Sequence, residues 1–547
     1  MKKHYSLLVL LGSIAMAQNT AQPNAPALAV NEIVPLTSSI AFQGVTETQA
    51  FAGQAEYEIF PDTGDGVFDK PIILVDGFDP NDSRSIPMIY EMLNYGPGQN
   101  LADDLRAQGF DVVLLNFPNY TRPADGALIS GGSDYIQRNA MTLVELLNVV
   151  NAAKVGEAQN VVIGPSMGGL IARYALRYME MNGLDHDTRL YLSFDAPHKG
   201  ANIPIGFQHL FNYMANGPLG DATVAILVDA MLKSPASSQM LIDHFEGHLQ
   251  SGSVFNFNPS VTLPTGKPNF RDAFQAELDA MGFPQQTRNV AISNGSGSGT
   301  TNGTPGQVVM DHTFYPDAST RAIINLNFTP LAGQTAQVSR FRGQISVFGF
   351  WVTAYESAAS SQAPGTSNGL DSAPGGKFDI TGLADLASSN ALLTEFFQNL
   401  QISYFNFIPT FSSLAVEGTT NWYAPVTDSQ SPFDAVYIPG ANEDHVTLTD
   451  GNVAFALAEI LSPLSVRENQ LAGLVVLNPV GSSLEIFSAS ALTNATVTLA
   501  DISGKKVFEQ NQLTLDGMVS LPVSLDSGLY FMTVESQGKK VVKKLVK

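Results

Sequence analysis

Asn160-Val-Val-Ile-Gly-Pro-Ser-Met-Gly-Gly-Leu-Ile-Ala-Arg-Tyr-Ala-Leu-Arg-Tyr-Met-Glu180 sets a β-branched apolar run, a glycine-rich turn and a helical pattern in direct succession. The run Val161–Ile163 is short and wholly apolar, as a strand buried on both faces must be. The same alternation extends outward. PIILVDGFDP (71–80), FDVVLLNFP (110–118) and RLYLSFDAP (189–197) are further short apolar runs ending in turn residues. Helical patterns lie between them: NLADDLRAQG (100–109) and MTLVELLNVVNAAKVG (141–156) each end on a glycine suited to a C-cap. Strand alternating with helix predicts an α/β fold with a doubly wound, mostly parallel sheet.

The flanks divide as follows. Residues 18–65 have no sustained period and read as a lead-in with one or two strands; the main domain is expected over 66–463. Residues 201–287 interrupt the alternation with apolar helices, a lid-like insertion. TRNVAIS (287–293) resumes the sheet, and 300–381 reads as a second insertion of loop and antiparallel strands. Residues 382–401 look helical, QISYFNFI (401–408) and DAVYI (434–438) are expected as the last strands of the sheet, and a helix follows at 453–463. Beyond Pro463, short strands separated by turn signals predict an all-β sandwich over 466–547.

Export is legible at the N-terminus. Met1-Lys2-Lys3-His4 is followed by the short apolar run Ser6–Met16 and the small residues of Ala15-Met16-Ala17, the pattern of a signal peptide spanning 1–17. No later stretch supplies the roughly 18 apolar residues of a membrane span. With no cysteine in 547 residues, neither disulfides nor thiolate metal sites can form. A net charge of −22 argues against a nucleic-acid partner, because nothing would neutralise phosphates.

Gly164-Pro165-Ser166-Met167-Gly168 is a G-x-S-x-G between a strand and a helix, the context of a nucleophile elbow. Such a turn lifts the Ser166 hydroxyl off the sheet, and the backbone N–H of Met167, next in sequence, is a donor for a developing oxyanion. The base should follow the serine in the chain and lie after the last strand. His445, in PGANEDHVTLT, occupies that place. His198 lies too near the serine in sequence, His209, His244 and His248 fall in the helical insertion, and His312 is unplaced. For the acid, Asp195 ends the strand RLYLSFD; Glu417 in a loop and Asp434 at the start of the last strand remain alternatives.

From Lys70 to Ser462 the chain resembles lipase-like α/β hydrolases, through GPSMGG and DAPHKGANIP. The resemblance implies hydrolysis of carboxylic esters or lipids through an acyl-enzyme, with no organic cofactor. Some relatives hold a structural calcium, for which no ligand set can be matched here. Many lipases carry His-Gly-x after the first central strand, which points to the Phe78 N–H as the second oxyanion donor; here Asp76 replaces the histidine. The acid commonly follows the seventh strand, and NFIPTFSSLA (406–415) resembles the segment trailing it, but Phe405 or Asn406 stands in the slot. Some lipases place the acid after the sixth strand, which favours Asp195. NPVGSSLEI, VTLADISGKKVFEQ and the closing SGLYFMTVESQGKKVVKKLVK resemble the C-terminal sorting domain of type IX (Por) secretion, implying that machinery as a partner and a secreted or surface location. A carbohydrate-binding sandwich is the other reading of the tail. For the whole chain the competing readings are a non-catalytic surface binding protein on a hydrolase scaffold, and a thioesterase or polyester hydrolase. Apolar residues of the helical insertion such as Leu227, Met231 and Leu241 outnumber what a small separate subdomain could bury, so some are expected to face the cleft, with activity rising once substrate exceeds its solubility.

Overall fold

The computed structural model describes residues 30–547 apart from 219, 382–390, 463–473, 477–479, 503 and 537–538. The expected signal peptide, 1–17, and the start of the helical reading at 382–401 lie outside the described residues. Contacts divide the chain into a unit ending at Leu457 and a second unit, Ala458–Lys547.

The first unit is built on an eight-stranded sheet. In chain order its strands are β1 (Val34–Phe42), β2 (Phe51–Phe60), β3 (Pro71–Val75), β4 (Asp111–Asn116), β5 (Asn160–Pro165), β6 (Thr188–Phe194), β7 (Arg288–Ile292) and β8 (Ala435–Tyr437). Their order across the sheet is β1-β2-β4-β3-β5-β6-β7-β8. Strands β3 to β8 run parallel, while β2 pairs antiparallel with both β1 and β4. Helices α1 (Leu101–Ala107), α2 (Ile136–Ala153) and α3 (Met167–Met181) supply crossovers between the parallel strands. This is the α/β-hydrolase fold.

The lead-in differs from its expectation, since β1 and β2 belong to the sheet itself. Strand β2 buries every second residue, Ala55, Tyr57 and Ile59 among them, against the core under α2. Short side chains and two intervening glutamates hide that alternation in the sequence. Residues Ile73, Val75, Leu115, Val162 and Tyr191 point the same way, toward α2 and α3. Each such side chain, fully buried, contributes about 1.5–3 kcal/mol. Leu74, Ile163 and Leu192 face the opposite way, toward Leu101 of α1 and Ala456 of the last helix, Asp450–Leu461.

QISYFNFI leaves the main sheet. Tyr404–Pro409 pairs antiparallel with Gly375–Asp379 as a separate two-stranded ribbon. The seventh strand is therefore Arg288–Ile292, and 401–408 is not a strand of the main sheet. Alternating aromatics packed on another insertion imitate the pattern of a sheet strand: Phe405 lies in a cluster with Phe207, Phe396 and Phe378.

After β6 come α4 (Ile205–Asn216), α5 (Ala222–Met231), two shorter helices and α6 (Arg271–Met281). Of the apolar residues named in the helical insertion, Leu241 is buried in the core and Met231 is half-buried, whereas Leu227 of α5 is 44% exposed. The second insertion is a four-stranded antiparallel meander: 308–317, 320–327, 335–347 and 350–362. It packs on α4 through Phe207, Leu210 and Tyr213 against Phe314, Leu326 and Phe341. His209 of α4 completes the join, with Nδ1 2.9 Å from Ser339 Oγ and Nε2 3.0 Å from Ser357 Oγ.

The second unit is all-β, with strands 474–476, 483–501, 506–522, 529–536 and 539–546. Among the described residues they form one antiparallel sheet rather than two separate ones. The long strand Ser483–Asp501 breaks register between Ser488 and Ala495. Its first half pairs with 474–476 and its second with 529–536. The unit has its own core, including Leu484, Ile486, Val497, Leu499, Met532 and Val534.

Candidate active site

The site lies at the carboxyl ends of β5 and β6, where strands turn into helix and loop. Ser166 joins β5 to α3 with φ 53° and ψ −130°, a region L-residues rarely adopt. The surrounding glycines make that turn possible by close approach. A Cβ on Gly164 would stand 2.5 Å from the Gly168 carbonyl oxygen, and one on Gly168 would stand 2.2 Å from that of Val75. The Ser166 N–H donates to the Phe194 carbonyl at 2.8 Å, tying the elbow to β6.

The structure brings Ser166, His445 and Asp195 together in one chain of hydrogen bonds. Ser166 Oγ lies 2.9 Å from His445 Nε2, and His445 Nδ1 lies 2.7 Å from Asp195 Oδ2. The carboxylate can only accept, so Nδ1 carries a proton and Nε2 is left to receive the serine hydroxyl's. Asp195 is fully buried. Its other oxygen accepts the Asn294 N–H at 3.0 Å, and its own N–H donates to the Ile292 carbonyl at 2.7 Å. Asp195 has φ 47°, and Val446, beside the histidine, has φ 53°. A β-branched residue with positive φ is an outlier, so strain collects at all three corners of the chain.

The ribbon Gly375–Asp379, a feature sequence reasoning missed, holds the histidine loop. The His445 N–H donates to the Lys377 carbonyl at 2.9 Å, and the Lys377 N–H donates to the Glu443 carbonyl at 3.0 Å. Lys377 Nζ also pairs with Asp444 at 3.1 Å. Gly376 permits this contact, since a Cβ there would stand 2.2 Å from Asp195 Oδ2. Phe407 of the paired strand meets the His445 ring edge-on, centroids 4.9 Å apart. The position after β7 is held by Ser293-Asn294, with no acid there. Asn294 instead anchors the loop, its Nδ2 donating to Glu443 Oε2 at 2.8 Å and to the Thr447 carbonyl at 3.1 Å. Burial raises the Glu443 carboxyl above its usual range, Asn294 pulls it back, and nearby Asp195 raises it further.

The other acid candidates lie elsewhere. Asp434 accepts the Asn289 N–H at 2.7 Å at the opposite end of β7, and Glu417 is exposed in its loop. His198 is fully buried between Phe283 and Phe433, with Nε2 2.8 Å from Ser193 Oγ. Burial holds it well below the ordinary imidazole range, with Arg173 and Lys199 adding to the effect. His244 and His248 bond within the helical insertion, and His312 Nε2 pairs with Glu395 at 2.9 Å.

Asp76-Gly77-Phe78 leaves β3 directly beside the elbow. A Cβ on Gly77 would lie 3.2 Å from that of Ser166 and 3.8 Å from the Met167 nitrogen. Met167 opens α3, so its N–H lies outside the intrahelical ladder. The Asp76 carboxylate, which would oppose negative charge nearby, is paired: Arg84 donates to its Oδ2 and to the Phe78 carbonyl, each at 3.0 Å. Burial raises the Asp76 carboxyl, and the guanidinium opposes that. An apolar cavity runs beneath these loops, lined by Leu74, Ile89, Met92, Pro165, Phe194 and Val446 among others. Among the described residues no three His, Asp or Glu side chains converge as a metal-ligand set, and no helix is long and apolar enough to cross a membrane.

Residues 478–547 match the secretion system C-terminal sorting domain. The matched segment covers most of the second unit, from just before its long strand to the last residue. No curated protein matches the sequence. Among solved structures, the chain is similar to the hyperthermophilic esterase from the archaeon Pyrobaculum calidifontis, with 10% identity, 49% of this chain and 66% of that chain covered, and a TM-score of 0.24. It is similar to an alpha-beta serine hydrolase homologue from Coxiella burnetii, with 17% identity, 31% and 65% covered, and a TM-score of 0.18. Est1E from Butyrivibrio proteoclasticus gives 8% identity, 44% and 72% covered, and a TM-score of 0.23. The first two alignments thus span about two thirds of those chains. The strand order and the nucleophile elbow define the fold.

Proposed function

We propose that the first unit hydrolyses carboxylic esters through an acyl-enzyme on Ser166. The observation behind this reading is the unbroken chain Asp195–His445–Ser166, at 2.7 and 2.9 Å. In this mechanism His445 Nε2 takes the Ser166 proton as Oγ attacks the ester carbonyl. The tetrahedral oxyanion is received by the N–H groups of Met167 and Phe78, while Asp195 holds the imidazolium. His445 then gives its proton to the leaving alcohol, which departs as the acyl-serine forms. Water, deprotonated by the same nitrogen, attacks the acyl-serine, and His445 returns that proton to Ser166 Oγ as the C–Oγ bond breaks and the acid departs. All steps draw on the chain's own side chains and backbone.

The tail supports export by the type IX route, so the enzyme would act outside the cell or at its surface. An active-site fluorophosphonate combined with a panel of p-nitrophenyl esters tests the hydrolytic reading. Labelling should be stoichiometric and absent from Ser166→Ala, and His445→Ala should lose roughly 10³-fold or more of the esterase rate. Full esterase activity in either variant would end this reading.

A further inference from the structure

The meander carries a surface for which the hydrolytic reading has no use. Strands 335–347 and 350–362 form a hairpin whose two-residue turn is Phe348-Gly349. Both turn residues have positive φ, 52° and 82°, the geometry of a type I′ turn. Asn, Asp or Gly is the usual first residue of that turn, whereas an L-residue in the left-handed region costs roughly 1–2 kcal/mol. Phe348 bears that cost while 98% exposed, so no contact within the fold offsets it.

The tip is two-sided. Ile345, Val347, Phe350 and Val352 share one face, because Val347 pairs with Phe350 and Ile345 with Val352. All four are exposed, Phe350 at 75%. The other face presents Ser346 and Trp351, with the Arg321 guanidinium 4.4 Å over the indole and Tyr315 6.4 Å away, edge to face. The apex and one face are thus hydrocarbon, and the back is a Trp–Tyr–Arg group with polar edges. Side chains of that kind collect where a hydrocarbon phase meets water, with apolar bodies inward and polar tips outward. A convex, five-residue apolar tip suits a fluid phase that closes around it better than a preformed protein groove. Charge chooses the kind of surface: at a net −22, the chain is repelled by an anionic one.

We propose that the Ile345–Val352 tip is an anchor that inserts into electrically neutral lipid surfaces, with Phe348 and Phe350 in the hydrocarbon and Trp351 at the boundary. The claim is independent of catalysis and is tested on full-length Ser166→Ala protein with phosphatidylcholine vesicles. Sedimentation should show binding, weakened at least tenfold by Phe348→Asn with Phe350→Ser, and weaker on vesicles rich in phosphatidylserine. With Trp422→Phe leaving Trp351 as the remaining tryptophan, its emission should shift to the blue on binding. Phe348→Asn suits the turn better, so its melting temperature should hold or rise, separating lost binding from lost folding. Unchanged binding by the double variant overturns the proposal. So does a parent that ignores vesicles but forms tip-dependent dimers in light scattering, which would make a second copy the occupant.

Discussion

Gly376 has no side chain and no chemistry, yet it stands where a methyl group would collide with the carboxylate that orients His445. Gly376→Ala should push Asp195 or the ribbon aside and lower kcat on a soluble ester by roughly 10²-fold, while Ser166 stays open to slow fluorophosphonate labelling. Near-normal turnover would show that the ribbon yields freely. Asp195→Asn should cost about 10⁴-fold in kcat at neutral pH, because an amide that donates to Nδ1 favours the wrong tautomer. Asp434→Asn and Glu417→Gln should leave kcat within a few-fold, and the reverse pattern would remove Asp195 from the mechanism. At this scale the sequence was most informative for Ser166, whose local turn announces itself, and for His445, whose place follows from chain order. Asp195 stands out in the sequence only because the slot trailing the apparent seventh strand 401–408 holds Phe405 or Asn406. The slot after the true β7 holds Asn294, and its N–H to Asp195 Oδ1 joins residues 99 apart in sequence. No local pattern encodes such a bond. Gly375-Gly376 looks like any flexible pair until the histidine loop is laid beside it.

His209 shows how an element can be held by one titratable side chain. It joins α4 to two strands of the meander through Ser339 and Ser357. Burial lowers it from the ordinary imidazole value to about 4. The unfolded chain therefore takes up a proton near pH 6.5 that the folded one refuses until about pH 4. Its contribution is intact above pH 6.5 and is lost as pH falls toward 4, on the order of 3 kcal/mol in all. His244, also lowered by burial to about 4, acts in the same direction. His248 acts in the opposite one: burial pulls it down, but Asp243 outweighs burial and leaves it raised. Calorimetry of wild type and His209→Gln should show a shallower acid decline in the variant, which will be less stable at pH 7. Parallel profiles would mean that His209 titrates alike in the folded and the unfolded chain. The meander was legible because alternation over 305–357 survives in its strands, whereas β2 was not, because Gly53 and Ala55 fill two of its five buried positions. The strand reading of 401–408 failed for the converse reason: it has a sheet strand's pattern and a different neighbour.

Across the whole molecule, the boundary between two compact units falls at Leu457, within the last helix of the first unit's fold, and each unit has a core of its own. Leu484, Val497, Met532 and Val541 belong to the second unit's core, and no residue of the proposed chemistry lies beyond His445. Removing 466–547 keeps the helix Asp450–Leu461 and deletes the segment that matches the sorting domain. Turnover on a soluble ester by the purified truncated protein should stay within about twofold of the full chain, because nothing that positions Ser166, His445 or Asp195 is removed. Location should change completely in a host that has the secretion machinery. A signal peptide carries a protein only across the inner membrane, so the truncated enzyme should collect in the periplasm while the full chain reaches the medium or the cell surface. Fractionation combined with an esterase assay on each fraction reads both quantities at once. Normal kcat with periplasmic retention is the expected pair. Export that survives the deletion would show that 466–547 serves another purpose, such as holding the enzyme on its substrate, and kcat that collapses with it would show that the first unit depends on the second.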